Sequence, residues 1–360
     1  MRNIALLAAA ALLLGQAACT TPVTVTPVVP TPSVASTNPS VPASNTPATT
    51  PSASPSPTFI DEIILAEPSA IAPNWSLLFA LPYGNAPERL GTSLGGDGEG
   101  IRWGPEYGTQ MPDGTWWFLD AAHMRLAQFA DDGTYRSEVK LPKKFLAQGQ
   151  YFQWASPQAL ADGTLVLVST SLSGASLLLM APNRTLSRVP LKEQVGLLTT
   201  DGRYLYGFNQ SQRTVRVDPR NGAITRVKAF AGQSGDTFTL AVGDHDLRIT
   251  RGTASRTLPV QAAGLKNLDI HPWIQAAAGA DGTLAVFIAG LVEETVGNAH
   301  DVAGFITIDQ QGRVGAVESV PDPFSDSDPG GGSHVGVRLG DSRPWLMFVD
   351  TDALRVYRRG

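Results

Sequence analysis

Cysteine is almost missing from this chain: Cys19 is the only one in 360 residues. No internal disulfide can form beyond it, so the folded part must be held by its own core. Long hydrophobic runs are missing too. The apolar stretch Ile4–Leu14 spans eleven residues, whereas a membrane-crossing helix needs about 20. Positive charge is not in excess, since the net charge is −5; a nucleic-acid binder would carry a basic patch or stripe. Catalytic signatures are sparse. No Gly-x-Ser-x-Gly elbow occurs, and "GQSGD" at 232–236 has the wrong spacing. The glycine-rich "GGDGEG" at 95–100 is followed by no helical pattern, which excludes a phosphate-binding loop. The five histidines contain no pair spaced i, i+4, as a zinc helix would require.

What is present begins with an export signal. Arg2, the apolar stretch Ile4–Leu14 and the small residues Gly15, Ala17 and Ala18 lead up to Cys19. That order describes a cleaved secretory signal better than a membrane span. Ala17-Ala18-Cys19 resembles the lipobox of bacterial lipoproteins, although Gln16 stands where the box usually has Leu. The resemblance implies that Cys19 is lipidated and becomes the first residue of the mature chain. Residues 20–58 are Pro, Thr, Ser, Ala, Val and Asn with no charged side chain. Such a composition cannot bury enough apolar surface to fold. Extended at about 3.1 Å per residue, it would reach roughly 120 Å as a stalk. Three parts are therefore expected: a signal over 1–19, a stalk over 20–58 and a folded domain over 59–360.

The domain is repetitive. "MPDGTWWFLDAAHMRLAQFADDGTY", residues 111–135, reads as turn, strand, loop, strand, turn. A small residue or turn with Asp followed by a short apolar run recurs at Asp113, Asp162, Asp201, Asp244, Asp281 and Asp341. Gly follows four of these six aspartates. A second turn recurs at Asp132-Gly133, Asn183, Asn221-Gly222 and Gln311-Gly312, each followed by another short strand. Four strands in about 40 residues make a propeller blade. The sixth unit ends after its third strand, "ALRVYRRG", and "WSLLFALP" at 75–82 matches the missing outer strand. The expected fold is all-β: a six-bladed β-propeller of four-stranded antiparallel blades, closed by an N-terminal strand that completes the last blade. The unit from Asp244 to Ala280 is the least regular.

Pro112-Asp113-Gly114, Asp120, Arg125 and Phe129 occupy the positions of the NHL repeat. The resemblance, to propellers of the NHL or TolB-like kind, implies a six-bladed ring and no particular activity.

The Asp-Gly turns, joining strands a to b and c to d, share one face. The b–c loops and the links between blades share the other, and variable loops on a rigid scaffold are where function usually resides. Two long loops are expected there, "LVEETVGNAHDVA" at 291–303 and "PDPFSDSDPGGGS" at 321–333. Counting back from each turn Asp places Trp103, Glu106, Trp154, His271, Trp273 and His334 at the channel mouth; His123 and His300 join them from b–c loops. These eight are the candidate ligand-binding residues. Aromatics at a polar mouth can stack on sugars or pack between blades. A calcium or other divalent ion would draw on Asp326 and Asp328, or on Glu293, Glu294, His300 and Asp301; an EF-type loop is excluded, because Val337 stands where its closing Glu belongs.

These observations point to an exported, lipid-anchored monomer of the cell envelope. It binds a protein, glycan or small molecule at the loop face, and touches the membrane only through its anchor. The alternative is a metal-dependent hydrolase or lactonase at the central channel. The gluconolactonase group, which this chain resembles in its ring, implies an axial metal held by Glu, Asn and Asp. Glu99 or Glu106 could supply the Glu, but the strand-a segments before Asp162, Asp201 and Asp281 contain no Asn.

Overall fold

The computed structural model describes residues 59–67, 72–91, 93–94, 102–103, 107–142, 157–171, 174–243, 245–263, 270–295, 298–321, 333–350 and 352–360. Two strands come first, β1 (Ile63–Leu65) and β2 (Trp75–Pro82), then a short hairpin of β3 (Ser93–Leu94) and β4 (Arg102–Trp103). Blade I is β5 (Tyr107–Gln110), β6 (Trp116–Asp120), β7 (Arg125–Phe129) and β8 (Tyr135–Lys140). Blade II is β9 (Gln158–Ala159), β10 (Leu165–Ser171), β11 (Gly174–Met180) and β12 (Leu186–Leu191). Blade III is β13 (Val195–Thr200), β14 (Leu205–Asn209), β15 (Thr214–Val217) and β16 (Ile224–Arg226). Blade IV is β17 (Phe230–Ala231), β18 (Thr237–Val242), β19 (Asp246–Arg251) and β20 (Ala254–Ala262). Blade V is β21 (Ile270–Ala278), β22 (Leu284–Thr295) and β23 (Asn298–Ile308). Its outer edge is residues 314–318, joined through the bridges Ile308↔Val314 and Phe305↔Glu318. Blade VI is β24 (Ser333–Val337), β25 (Pro344–Val349), β26 (Ala353–Arg359) and β2.

The ring closes as the sequence pattern implies. β2 pairs antiparallel with β26, from Trp75↔Arg359 to Pro82↔Ala353, so the last blade takes its outer strand from the front of the chain. Blade I is covered on both sides, which is why its second strand, β6, reads as a continuous apolar run, whereas β18 of blade IV alternates between buried and more exposed residues. Trp116 and Phe118 pack against Phe79, Trp345 and Met347 of blade VI. Trp117 and Leu119, one residue out of phase, pack against Leu165, Leu167 and Leu178 of blade II. The Trp116 and Trp345 rings meet edge to face, with centroids 5.0 Å apart. Fully burying one such side chain stabilises by about 1.5–3 kcal/mol.

All six a–b turns carry a glycine in the left-handed region, Gly114, Gly163, Gly202, Gly235, Gly282 and Gly340, with φ between 78° and 88°. The residue before it need not be Asp. In blade IV the turn is Gly232–Gly235, closed by Gly235 N–H donating to the Gly232 carbonyl at 3.0 Å. Asp244 therefore does not mark an a–b turn. It belongs to the b–c connection of blade IV, lies outside the described residues itself, and is flanked by Gly243 N–H donating to the Asp246 carbonyl at 2.9 Å. That tight hairpin imitates the spacing of an a–b turn, and "DLRIT" is consequently the third strand of its blade.

Two further differences appear. Residues 291–303 are not a loop: β22 continues to Thr295 and β23 resumes at Asn298, in register with each other through Val292↔His300. "LVEET", with β-branched Val292 and Thr295, extends the ladder, and blade V is the taller for it. Residues 59–66 also enter the ring. β1 lies parallel to β20, Ile63↔Val260 to Leu65↔Ala262, while Phe59 and Ala66 bridge to Gly315 and Ala303 of blade V. Blades IV and V thus share one N-terminal strand.

Candidate functional site

On the loop face, blades VI and I are joined by a strap, Tyr83–Gly91, that follows β2. Its start is tied to the b–c turn of blade VI, Tyr83 N–H donating to the Asp352 carbonyl at 3.3 Å. Its end is tied to blade I, Gly91 N–H donating to Asp120 Oδ1 at 3.1 Å. Between these points Arg125 reaches out from β7 and donates to the carbonyls of Pro87, at 2.9 Å, and Arg89.

The b–c turn of blade I is built around the same Asp120. Its side chain is fully buried. Oδ2 accepts from Arg125 Nε at 2.8 Å and lies 2.9 Å from His123 Nδ1, while Oδ1 also accepts from the His123 N–H at 3.2 Å. Arg125 pairs in addition with Glu138 on β8, at 2.6 Å. Lys140 and then Arg125 hold the Glu138 carboxyl below the usual carboxylate range. The turn is tight enough to place Met124 at φ 54°. His123 reaches solvent from the turn itself, with 23% of its side chain exposed, and Glu138 does so from β8. A carboxylate on Nδ1 sets the ring's orientation and leaves Nε2 to face outward chemistry.

Gly91 is required by this packing. A Cβ there would stand 2.7 Å from Ala122 Cβ, 2.9 Å from Asp120 Oδ1 and 3.0 Å from His123 Cε1. At the strap's other end, Arg355 pairs with Asp350 and with Asp352 (2.9 Å) on the b–c turn of blade VI. Burial first, and then the charges of Asp350 and Asp352, push the Tyr83 hydroxyl far above its ordinary range. It stays a neutral phenol.

The remaining candidates are distributed as follows. His271 and Trp273 lie on β21, the innermost strand of blade V, paired with Leu291 and Ala289. His300 lies on β23, within the extended ladder and not on a loop. His334 begins the innermost strand of blade VI opposite Met347, and its side chain is buried at 6% exposure. Trp103 is not on a blade strand; it pairs with Ser93 in the hairpin that precedes blade I, whose own innermost strand starts at Tyr107. Glu106, Trp154, Asp326, Asp328 and Cys19 lie outside the described residues. Among the described residues no three His, Cys, Asp or Glu side chains converge to hold a metal ion, and no helix is long and apolar enough to cross a membrane.

The opposite face carries a cleft that the repeat pattern does not reveal. Its volume is about 510 Å³, and it is lined by Asp113, Thr115, Gln128, Asp131, Arg136 and Arg184 together with Ser137 and Arg338. Three blades contribute to it.

A family profile described as "Domain of unknown function (DUF7485)" matches residues 73–359. No curated protein matches the sequence. Among solved structures, a streptogramin B lyase is 12% identical, with 80% of this chain and 98% of that one covered at a TM-score of 0.40. A member of the DUF4221 family from Bacteroides vulgatus is 8% identical, with 82% and 99% covered at 0.48. A calcium-binding protein, regucalcin, from Agrobacterium tumefaciens is 13% identical, with 71% and 90% covered at 0.38. Similarity of this degree transfers no activity.

Proposed function

The chain belongs to the DUF7485 family, and we propose that it is an exported, lipid-anchored binding protein of the cell envelope that engages a protein or glycan through the loop face of its propeller. The observation that carries this reading is the pair Asp120–His123. A buried carboxylate fixes an imidazole at 2.9 Å on a turn of the loop face, and the ring remains part-exposed. Recognition surfaces are built in this way, with a polar group oriented on a rigid element and free to meet a partner. The added height of blade V supports the same face, since β22 runs twelve residues against five in β6. The charge-free segment 20–58 and Cys19 support anchorage at a distance from the membrane.

Site-specific photo-crosslinking in the native host tests the reading. A photoreactive residue at the exposed position Ala121, beside His123, should capture a partner or glycan; one at exposed Ser234, on the opposite face, should not. Capture from Ser234 alone would overturn the face assignment. Metal analysis of the purified protein is the second arm. One tightly held divalent ion per chain, with turnover of a lactone or ester, would replace binding by catalysis. Cys19→Ala should move the protein from the membrane fraction to the soluble one.

A further inference from the structure

The cleft on the turn face lies away from the loops just discussed, and its chemistry is different. Arg184 comes from the c–d turn of blade II, Arg136 from the outer strand of blade I, and Arg338 from the a–b turn of blade VI. The two carboxylates that line the same cleft are already engaged. Asp113 Oδ1 accepts from the Thr115 N–H and hydroxyl at 2.9 and 2.8 Å. Asp131 accepts from Arg358 at 2.8 Å, from Gln110 at 2.7 Å and from Trp116 Nε1 at 3.3 Å. Arg338 is partly neutralised by Asp341 at 3.0 Å. Arg136 feels the charge of Asp132 through space without pairing with it, and Arg184 has no carboxylate partner among the described residues. Arg184 donates only to the neutral Gln128 Oε1, at 3.0 Å, with its guanidinium 5.9 Å from the Trp117 ring centre. Arg136 makes no hydrogen bond or ion pair among the described residues.

A second, independent observation singles out Arg184. The c–d turns of blades I, III, IV and V each place a glycine in the left-handed region, at Gly133, Gly222, Gly252 and Gly312. Blade II has the same turn, with Thr185 N–H donating to Asn183 Oδ1 at 3.1 Å as Thr134 N–H does to Asp132 Oδ1 at 2.9 Å. Yet the left-handed residue there is Arg184, at φ 67°. A side chain in that conformation is strained, and strain kept at one repeat and relieved at the others points to a task. The side chain thus held is a guanidinium at the wall of the cleft.

We propose that this cleft binds an acidic saccharide, its carboxylate or sulfate gripped by Arg184 and Arg136 and its hydroxyls met by Thr115, Gln128 and Ser137. A guanidinium fork matches an oxyanion in two parallel hydrogen bonds. The three neutral side chains supply donors and acceptors on one continuous row: Ser137 donates to Gln128 Oε1 at 2.7 Å, and Gln128 Nε2 donates to Thr115 Oγ1 at 3.3 Å. The volume suits a ligand of a few sugar rings. This inference does not rest on the loop-face reading.

The test is titration calorimetry of the full mature chain with trigalacturonate, and with maltotriose and inorganic phosphate as controls. Trigalacturonate should bind, with affinity falling as salt rises; the controls should bind at least tenfold more weakly. Arg184→Gly should lower the affinity tenfold or more while leaving the melting midpoint unchanged or raised, because it restores the glycine of the sister turns. Arg136→Ala should weaken binding without unfolding the chain. Absence of trigalacturonate binding, wild-type affinity in Arg184→Gly, or equal affinity for phosphate each overturns the proposal. Binding to phosphatidylglycerol vesicles in preference to trigalacturonate would assign the cleft to lipid headgroups and overturn it as well.

Discussion

Arg125 and Asp120 face each other across the b–c turn of blade I with Nε and Oδ2 2.8 Å apart, both almost wholly excluded from solvent. The pair does more than close its own turn, because Arg125 also holds two carbonyls of the strap that enters from blade VI. It is a clasp on the joint where the ring closes. Removing one partner of a buried pair leaves the other charge uncompensated. Arg125→Met should therefore lower unfolding free energy by about 3–5 kcal/mol, measured by denaturant titration. A loss within error would show that the clasp carries no load.

Gly91→Ala examines the same joint by shape alone. The added methyl group would fall within 3.0 Å of Asp120, Ala122 and His123. Overpacking of this kind costs about 1–3 kcal/mol. The imidazole must also tilt, so the His123 ring signals in an NMR spectrum should shift in this variant. Unchanged His123 resonances would mean that the strap does not bear on the ring.

Acid should loosen the contact between blades I and VI on the opposite face, through Asp131. Its hydrogen bond from Arg358, on the last strand of the chain, holds the carboxyl below its ordinary range. A group with a depressed folded pKa stabilises above its unfolded pKa, near 3.9, and ceases to do so as pH falls through the folded value. The pair is half-exposed, so its contribution is about 1 kcal/mol or less. Asp131→Asn should thus melt lower than the wild type at pH 7 and converge with it in acid, once the pH has fallen through the folded value. A difference that persists at that acidity would trace the loss to something other than the charge.

Most of the ring was legible because its turns obey local chemistry. A left-handed glycine after Asp is a signal that a short window contains, and four of the six a–b turns announce themselves so, through Asp113, Asp162, Asp201 and Asp281; in blade VI the order is reversed, Gly340 before Asp341. The turn of blade IV does not, since Gln233 and Ser234 stand in for Asp and a neighbouring hairpin at Gly243–Asp246 offers a better imitation. β1 was not legible at all. Three residues parallel to a strand almost two hundred positions away carry no local signature. The functional side chains divide in the same manner. Asp120, His123 and Arg125 could be placed from the repeat, but the carbonyls of Pro87 and Arg89 that Arg125 holds are backbone groups with no residue-type signal. Of the blade II turn only Asn183 was read from the sequence, and the left-handed Arg184 beside it needed the structure. Its neighbours in space, Arg136 and Arg338, come from other blades and needed the fold.

The parallel strand β1 makes the strongest remaining demand. Ile63 and Leu65 are fully buried between blades IV and V, and two amides depend on the segment: Ala263 N–H donates to the Leu65 carbonyl at 2.7 Å and Ala303 N–H to the Ala66 carbonyl at 2.9 Å. Truncating a buried leucine to alanine costs about 2–5 kcal/mol. Because β1 is short and lies at the outer edge of blade IV, that cost should appear first as local opening and only later as loss of the ring. Leu65→Ala should accordingly speed hydrogen exchange at Ala263 and Ala303 while the amides of β6 and β7 in blade I keep their protection. Exchange that quickens equally around all six blades would mean that β1 is an integral part of one cooperative unit and no separate latch. Unaltered exchange at Ala263 and Ala303 would mean that the segment does not hold the two blades together.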